Sequence, residues 1–322
     1  MNHDEIIALL GEDWKRFDGI VRRSLRSDIG MLNSVNDTLL SNTGKRIRPT
    51  LVLLVAKALG GCNEESICFA AATEMIHNAT LFHDDVVDKS PLRRGKPTLS
   101  KMVGPSAAIL VGDFWLSRAV NLFVATRHQS EAIVLFSKAL SNLAEGEMLQ
   151  MQKAADNDTS EDDYLQIIYC KTASLFEAAC RVAAASVEAS AEQVEAAGRY
   201  GAALGRAFQI RDDIFDYQQC EIGKPVGIDL KEQKITMPLL GAMLNAPAQE
   251  ASIRAKVHDI PEHPEYCDEI RAFVLGNGGI EYAYVRLDDF IGEAVSALDA
   301  FPASAAKDKL VELARYNAVR KK

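Results

Sequence analysis

The sequence predicts an all-α fold, and three observations carry that prediction. Apolar residues recur three and four apart through most of the chain, as in "SICFAAATEMIHNATLFHDD" (66–85), the period of a helix with one buried face. No stretch sustains the apolar–polar alternation of a half-buried strand between turn signals. Punctuation is sparse and local, at Gly60-Gly61, Pro91, Gly95 to Pro97, Gly104-Pro105 and Gly276 to Gly279.

Taken in order, the start "MNHDEIIALLGEDWKRF" has acids where a secretion signal needs a basic flank and an apolar core. "TLVLLVAKALGG" is apolar, but it is too short to span a bilayer and contains Lys57. A helix beginning near Ser66 runs into Asp84, Asp85 and Asp88, and Pro91 and Gly95 close it. "DNDTSEDDY" (156–164) is a polar break ending in helix-start chemistry, with Thr159 or Ser160 as cap and acids in the first turn. From there to about Tyr217 the chain is helix-compatible, as two or more helices. "QQCEIGKPVGIDLKEQKITMP" (218–238) reads as irregular, and helix resumes at Leu239. The total is roughly ten or more helices. No linker, repeat or low-complexity tract cuts the chain, so it reads as one domain, 1–322.

With 48% hydrophobic and 25% charged residues, 322 residues can bury a large core. The net charge of −9 argues against a nucleic-acid surface, which needs a basic face, yet leaves room for small phosphorylated ligands. Six cysteines without a C-x-x-C pair read as free thiols of a reducing cytosol. No transmembrane segment is expected, and the location expected is cytoplasmic.

The chemistry is concentrated in "LFHDDVVDKSPLRRGKPT" (81–98) and "FQIRDDIFDY" (208–217). Asp84 and Asp88 share a helical face, with Asp85 about 100° away. Carboxylates near a helix C-terminus oppose the dipole, so stability does not select them there. Asp212, Asp213 and Asp216 repeat the pattern, and Ile210, Ile214 and Phe215 mark a core-facing helix. One D-D-x-x-D also arises on solvated faces; two copies, each inside an apolar helix, are a stronger signal. If both faces met across a cavity, hard cations would be the natural compensation, Mg2+ taking carboxylate and substrate phosphate oxygens. Basic groups accompany them: Lys45, Arg46 and Arg48 in "TGKRIRP", Arg93 and Arg94, Lys171 beside Thr172 in "YCKTAS", and Lys224, Lys231 and Lys234. Singly each reads as a solvated charge; together they suit two diphosphate patches. No P-loop or dinucleotide fingerprint is present in the sequence.

The stretches "GKRIRP", "EMIHNATLFHDDVVD", "RRGKPT", "AEGEMLQ", "YCKTA", "FQIRDDIFDY", "GKPVGIDLKEQKITMPLL" and "GGIEYA" run in order from Gly44 to Ala283. In them the chain resembles the trans-isoprenyl diphosphate synthases, the polyprenyl synthetase family, and within it the long-chain makers such as octaprenyl diphosphate synthases. The resemblance implies one all-α bundle around a deep central cavity, a homodimer, and condensation of isopentenyl diphosphate with an allylic diphosphate starter. It implies Mg2+, about three ions with substrate bound, held by Asp84, Asp88, Asp212 and Asp216, with Asp85 and Asp213 in support. Arg93, Lys171, Thr172, Gln209, Lys224 and Lys234 would contact the allylic diphosphate. Lys45, Arg48, His77 and Arg94 would hold isopentenyl diphosphate. Asp84, Asp88, Lys171 and Asp212 are the catalytic set. His77 has a plainer reading as a core histidine. Gln233 stands where the family usually has glycine, and the basic "VRKK" end reads either as a closing tail or as a disordered one.

Chain length would follow from small Ala79 and Thr80 before the first cluster, which leave a tunnel open, and from Phe136, which is either a stopper or ordinary core. The expected product is a long all-trans polyprenyl diphosphate of about thirty to fifty carbons, near forty, from the subgroup resemblance; the burial gain per added unit, roughly 3–4 kcal/mol, calls for a steric floor. The alternatives are a short-chain farnesyl or geranylgeranyl diphosphate synthase, a terpene cyclase, or a non-catalytic partner subunit.

Overall fold

The computed structural model describes residues 3–41, 44–93, 95–218 and 227–319. Arg94, Lys224 and the tail from Arg320 to Lys322 lie outside the described residues. Seventeen α-helices fall within them. The first seven are α1 (His3–Leu10), α2 (Glu12–Ser24), α3 (Gly30–Ser41), α4 (Ile47–Leu59), α5 (Glu64–Val87), α6 (Leu99–Val103) and α7 (Pro105–Val124). Next come α8 (Gln129–Asp156), α9 (Glu161–Ile168), α10 (Ser174–Ala185), α11 (Ala191–Tyr217) and α12 (Ile228–Lys231). The last five are α13 (Met237–Asn245), α14 (Glu250–His258), α15 (Tyr266–Gly276), α16 (Gly279–Ala297) and α17 (Ala305–Val319). The all-α expectation is met. The exception is an antiparallel hairpin of two two-residue strands, β1 (Leu92–Arg93) and β2 (Lys96–Pro97), within "LRRGKPT", with Gly95 between them at φ +75°.

The chain divides into two compact units built from interleaved segments. One comprises Met1–Phe136, Ala178–Gly198 and Asp299–Glu312. Its axis is α5, which packs against α2, α4 and most extensively α7. The sequence explains why: Phe69 to Ala72, Met75, Ile76 and Ala79 are all buried, with alanines allowing close approach. α5 starts at Glu64, two residues before Ser66. Asn63 is the cap and Ser66 its third residue, and the two close a reciprocal capping box. α7 is the one described helix long and apolar enough to cross a membrane by length and composition; it carries Asp113 and Arg118 and lies along α5.

The other unit comprises Ser137–Glu177, Arg199–Leu298 and Leu313–Lys322. Here α13 is the buried element, packed on α15 and α16, with α14 against α15. Of the two cap candidates before α9, Ser160 is used, in a capping box with Asp163. The first turn of α9 is tied to α16, because Glu161 accepts from Tyr282 Oη (2.6 Å) and Arg286 Nε (2.8 Å). The stretch read as irregular contains α12, and the next long helix opens at Met237, with Pro238 in its first turn, where a missing N–H costs nothing.

Candidate active site

In the first unit α5 carries the first acidic motif on its last turns. Asp84 is half-buried and Asp88, which ends the helix, is exposed. Asp85 is different: it is 3% exposed, and Arg93 Nε from β1 donates to its Oδ1 at 2.8 Å. The middle aspartate thus anchors the hairpin after the helix, and Arg93 is held beside the motif. Ser90 N–H donating to Asp85 O (3.1 Å) and Thr98 Oγ1 donating to Ser90 O (2.8 Å) complete the turn. His77 is half-buried on α5, two turns before Asp84. Thr80 donates its hydroxyl to His77 O at 2.9 Å, and Ala79 and Thr80 are both buried.

The "KRIR" turn sorts its cations. Arg46, in a left-handed conformation (φ 49°), reaches Asp18 Oδ1 at 2.7 Å and lies over the Phe17 ring. It therefore fastens α4 to α2. Burial alone would raise the Asp18 carboxyl; Arg22 and Arg46 outweigh it and hold it below its ordinary value. Lys45 is exposed, and Arg48 sits half-buried in the first turn of α4. Phe136, on the same continuous helix as "AEGEMLQ", is 2% exposed. Its ring stacks on Phe123 with centroids 4.6 Å apart, and Phe123 leans on Phe69 at 6.0 Å.

The second unit holds a cleft of about 90 Å³ lined by Tyr164, Lys171, Gln209, Asp213, Asp229 and Lys234, among others. A hydrogen-bonded chain runs along it. Thr172 Oγ1 donates to Gln209 Oε1 (3.0 Å), Gln209 Nε2 donates to Asp213 Oδ1 (2.8 Å), and Tyr164 Oη donates to Asp213 Oδ2 (2.6 Å). Asp213 is 4% exposed, again the buried middle member of its motif, while Asp212 is exposed and outside the lining. Burial and the nearby Asp229 charge push the Asp213 carboxyl well above the ordinary carboxylate range, against its two hydrogen bonds. Asp229 is itself pushed up to about 6, by burial and by Asp216, with Lys234 opposing. Burial would lower the Lys234 ammonium, but its ion pair with Glu232 and the charge of Asp229 hold it above its usual value. Lys171 pairs with Glu147 and donates to Gln150 Oε1 at 2.9 Å. Asp216, expected among the metal ligands, has its carboxylate turned to the backbone N–H groups of residues 227–229.

Lys171 and Thr172 are adjacent, and on an ideal α-helix they would point about 100° apart. Here Tyr169–Ala173 is a π-helical turn; Lys171 lines the cleft, and Thr172 bonds to Gln209, which lines it too. Two glycines grip that turn. A Cβ on Gly146 of α8 would lie 2.6 Å from Cys170 Cβ, and one on Gly205 of α11 would lie 2.5 Å from Ala173 Cα. The glycine of "AEGEMLQ" is thus explained by contact.

The site residues missed in the sequence are Tyr164 and Asp229. Tyr164 stands seven positions before Lys171, on one helical face with it. Asp229 lies inside "GKPVGIDLKEQK", where only the lysines were singled out. Among the described residues no three His, Cys, Asp or Glu side chains converge as a ready cage for a metal ion. The paired carboxylates fit Mg2+ nonetheless, since this ion binds through one or two carboxylates, water and substrate phosphates.

The polyprenyl synthetase family profile matches residues 30–274. The octaprenyl diphosphate synthase of Haemophilus influenzae is 38% identical over 316 residues, covering 98% of this chain and 96% of that protein. A decaprenyl diphosphate synthase structure from Rhodobacter capsulatus superposes with a TM-score of 0.92 at 35% identity, with complete coverage of both chains. A geranylgeranyl pyrophosphate synthetase from Pyrococcus horikoshii does so at 0.88 and 29%, covering 99% and 100%. The fold is thus the all-α bundle of the isoprenoid synthases, and its enzyme class is trans-prenyl transfer. The chain belongs to the polyprenyl synthetase family. It is a head-to-tail prenyltransferase that joins isopentenyl diphosphate to an allylic diphosphate.

Proposed function

We propose that the enzyme makes a long all-trans polyprenyl diphosphate of about thirty to fifty carbons, near forty. The observation that carries the diphosphate reading is the cleft in which Lys171, Lys234 and Gln209 stand beside Asp213 and Asp229. Two ammonium groups and an amide suit phosphate oxygens, and the carboxylates suit a hard cation that accompanies them. Lys171, Thr172, Gln209, Lys234, Arg93 and Lys224 bind the allylic diphosphate. Lys45, Arg48, His77 and Arg94 bind isopentenyl diphosphate. Asp84, Asp88 and Asp212 offer ligand oxygens to Mg2+, which when bound supplies Lewis-acid neutralisation of diphosphate charge. With that charge neutralised the allylic C–O bond ionises, the isopentenyl double bond attacks the cation, and a proton leaves, with the departing diphosphate as its acceptor. Asp85 and Asp213, buried and hydrogen-bonded, orient the helices that carry the ligands.

Chain length is read from α5. Phe69, against which the Phe123–Phe136 stack leans, lies fifteen positions before Asp84, about 22 Å along the helix. An isoprene unit adds four chain bonds, about 4.6 Å when extended by analogy with the peptide backbone. A twenty-carbon tail, at about 18 Å, ends short of the aromatic layer, whereas a forty-carbon tail, at about 37 Å, would have to bend beside it, so this distance argues only against a stop at twenty carbons. The figure near forty rests on likeness to the octaprenyl relative. The exposed apolar residues Ile109, Val120 and Val124 on α7 support a homodimer. We place the enzyme in the cytoplasm, with all of 1–322 as one catalytic domain.

Purified full-length protein with Mg2+, an allylic starter and labelled isopentenyl diphosphate tests this reading, with chromatography of the product. Incorporation into a chain near forty carbons, abolished by a chelator, is expected. No incorporation, a cyclised hydrocarbon, or a product ending at fifteen or twenty carbons refutes it.

A further inference from the structure

The third aspartate of the second motif is engaged in a way its motif does not foretell. Asp216 lies in the last turn of α11. Its Oδ1 accepts the N–H groups of Gly227 and Ile228, each at 3.2 Å, and its Oδ2 accepts that of Asp229 at 3.0 Å. Gly227 N–H also donates to Asp216 O at 3.1 Å. The turn of N–H groups toward one carboxylate depends on Gly227, whose φ of +79° is a left-handed conformation open to glycine at little cost.

The helix that these amides open is short. α12 has four residues, far fewer than a helix needs to stand alone. Buried Leu230 and the Asp216 cap hold it. From it hang two residues of the cleft. Asp229 lines the cleft directly, and Lys234 N–H donates to Asp229 O at 2.8 Å, which places the lysine on the same wall. The arrangement therefore reads outward from Asp216 to the 227–229 amides, then to Asp229 and Lys234. A carboxylate has about four lone-pair sites, and three N–H bonds occupy most of them here.

We propose that Asp216 is a positioning residue, not a metal ligand: it caps the 227–229 amides and so presents Asp229 and Lys234 to the cleft. The proposal rests on the reading of that cleft as the allylic diphosphate site. Its first test does not, because that test needs neither metal nor turnover.

The experiment is amide hydrogen exchange on the full-length protein without metal or substrate, comparing wild type, Asp216→Ala and Asp216→Asn. Losing a charge-assisted hydrogen bond corresponds to about tenfold in an opening equilibrium. Exchange in peptides covering Gly227 to Asp229 is therefore expected to quicken by about tenfold or more in the alanine variant. The asparagine variant, which keeps one acceptor oxygen, should fall between. Should Asp216→Ala fail to fold, the asparagine variant decides alone, with a quickening of about threefold or more expected. Unchanged exchange in the folded variants overturns the proposal. With Mg2+ and both substrates, the KM for the allylic diphosphate should rise about tenfold, while that for isopentenyl diphosphate stays within about twofold; general loss of structure would move both. A large rise in the Mg2+ needed for half-maximal rate, with the allylic KM unchanged, returns Asp216 to the metal ligands.

Discussion

Gly146→Ala isolates the consequence of the grip on the π-helical turn. In an open helix interior this change stabilises by about 0.5–1 kcal/mol, because glycine is the more flexible residue in the unfolded chain. Gly292 of α16 is such a position: it is exposed, and a Cβ there meets nothing within 4 Å. At Gly146 the added carbon would stand 2.6 Å from Cys170 Cβ, 3.1 Å from Lys171 Cγ and 3.2 Å from Lys171 N. The first contact falls about 0.8 Å short of ordinary van der Waals separation. The neighbour in the way is the first carbon of a side chain, which cannot swing aside, so the backbone around Lys171 has to move by most of that distance. Overpacking of this kind costs about 1–3 kcal/mol. A misplacement near 1 Å at a reacting group costs about a hundredfold in rate. Gly146→Ala is therefore expected to lose stability in urea titration and to lose about ten- to a hundredfold in kcat/KM for the allylic substrate. Gly292→Ala should gain stability and keep its kinetics. If Gly146→Ala behaves like Gly292→Ala on both measures, the contact does not position Lys171 and the reasoning fails.

Asp84→Ala and Asp212→Ala should each lower turnover by orders of magnitude with the circular dichroism spectrum intact; near-normal rates in both would remove them from the ligand set. Phe136→Ala takes a ring from a stacked, buried pair, so it should cost about 3–5 kcal/mol and lengthen the product by about one unit, its six ring carbons matching the volume of one five-carbon addition. Ala79→Tyr should shorten the product to fifteen or twenty carbons, and an unaltered distribution in chromatography would dismiss the tunnel. For pH, Asp229 titrates near 6 in the folded chain against 3.8 for a free carboxyl. The folded state holds the proton to higher pH, so its contribution favours folding in acid and is lost as pH rises from about 4 to about 6. Metal-free wild type should lose stability relative to Asp229→Asn across that window in urea titrations, and a constant difference would contradict the burial argument.

The helices were legible because their period is local, and the cap before α9 was legible as Thr159 or Ser160, of which the structure uses Ser160. The start of α5 is legible to within two residues, because the capping pair Asn63 and Ser66 brackets it. α12 was hidden because four residues carry no periodicity. The division into two units rests on contacts between distant segments, and its boundaries fall inside helices such as α8 and α11, where composition gives no sign. In the site, spacing singled out six aspartates, and burial separates Asp85 and Asp213 from their neighbours. Spacing could not show that Asp216 turns to amides eleven to thirteen positions on. Nor could it show that "YCKTA" winds as a π turn, because nothing in its five residues distinguishes the two windings and Gly146 and Gly205 press on it from other helices. Gln233 gave a partial signal: the family resemblance leads one to expect glycine there, and the backbone is left-handed at φ 57°. It is held there by its side chain, Nε2 donating to His258 O at 2.8 Å.

A π turn holds one residue more than the α turn it replaces. Tyr169–Ala173 therefore has the form of a single-residue insertion in the ancestry of a plain helix. Deleting one residue would let the turn close to a plain α turn with α10 keeping its place, and Lys171 and Thr172 would then point about 100° apart. Changes of letter are narrow there too, because Lys171 and Thr172 serve the cleft and Gly146 and Gly205 leave little room beside Cys170 and Ala173. A library at fixed length that keeps Lys171, Thr172 and small residues at 170 and 173 should contain many active members, and a one-residue deletion should fold yet lose the allylic substrate.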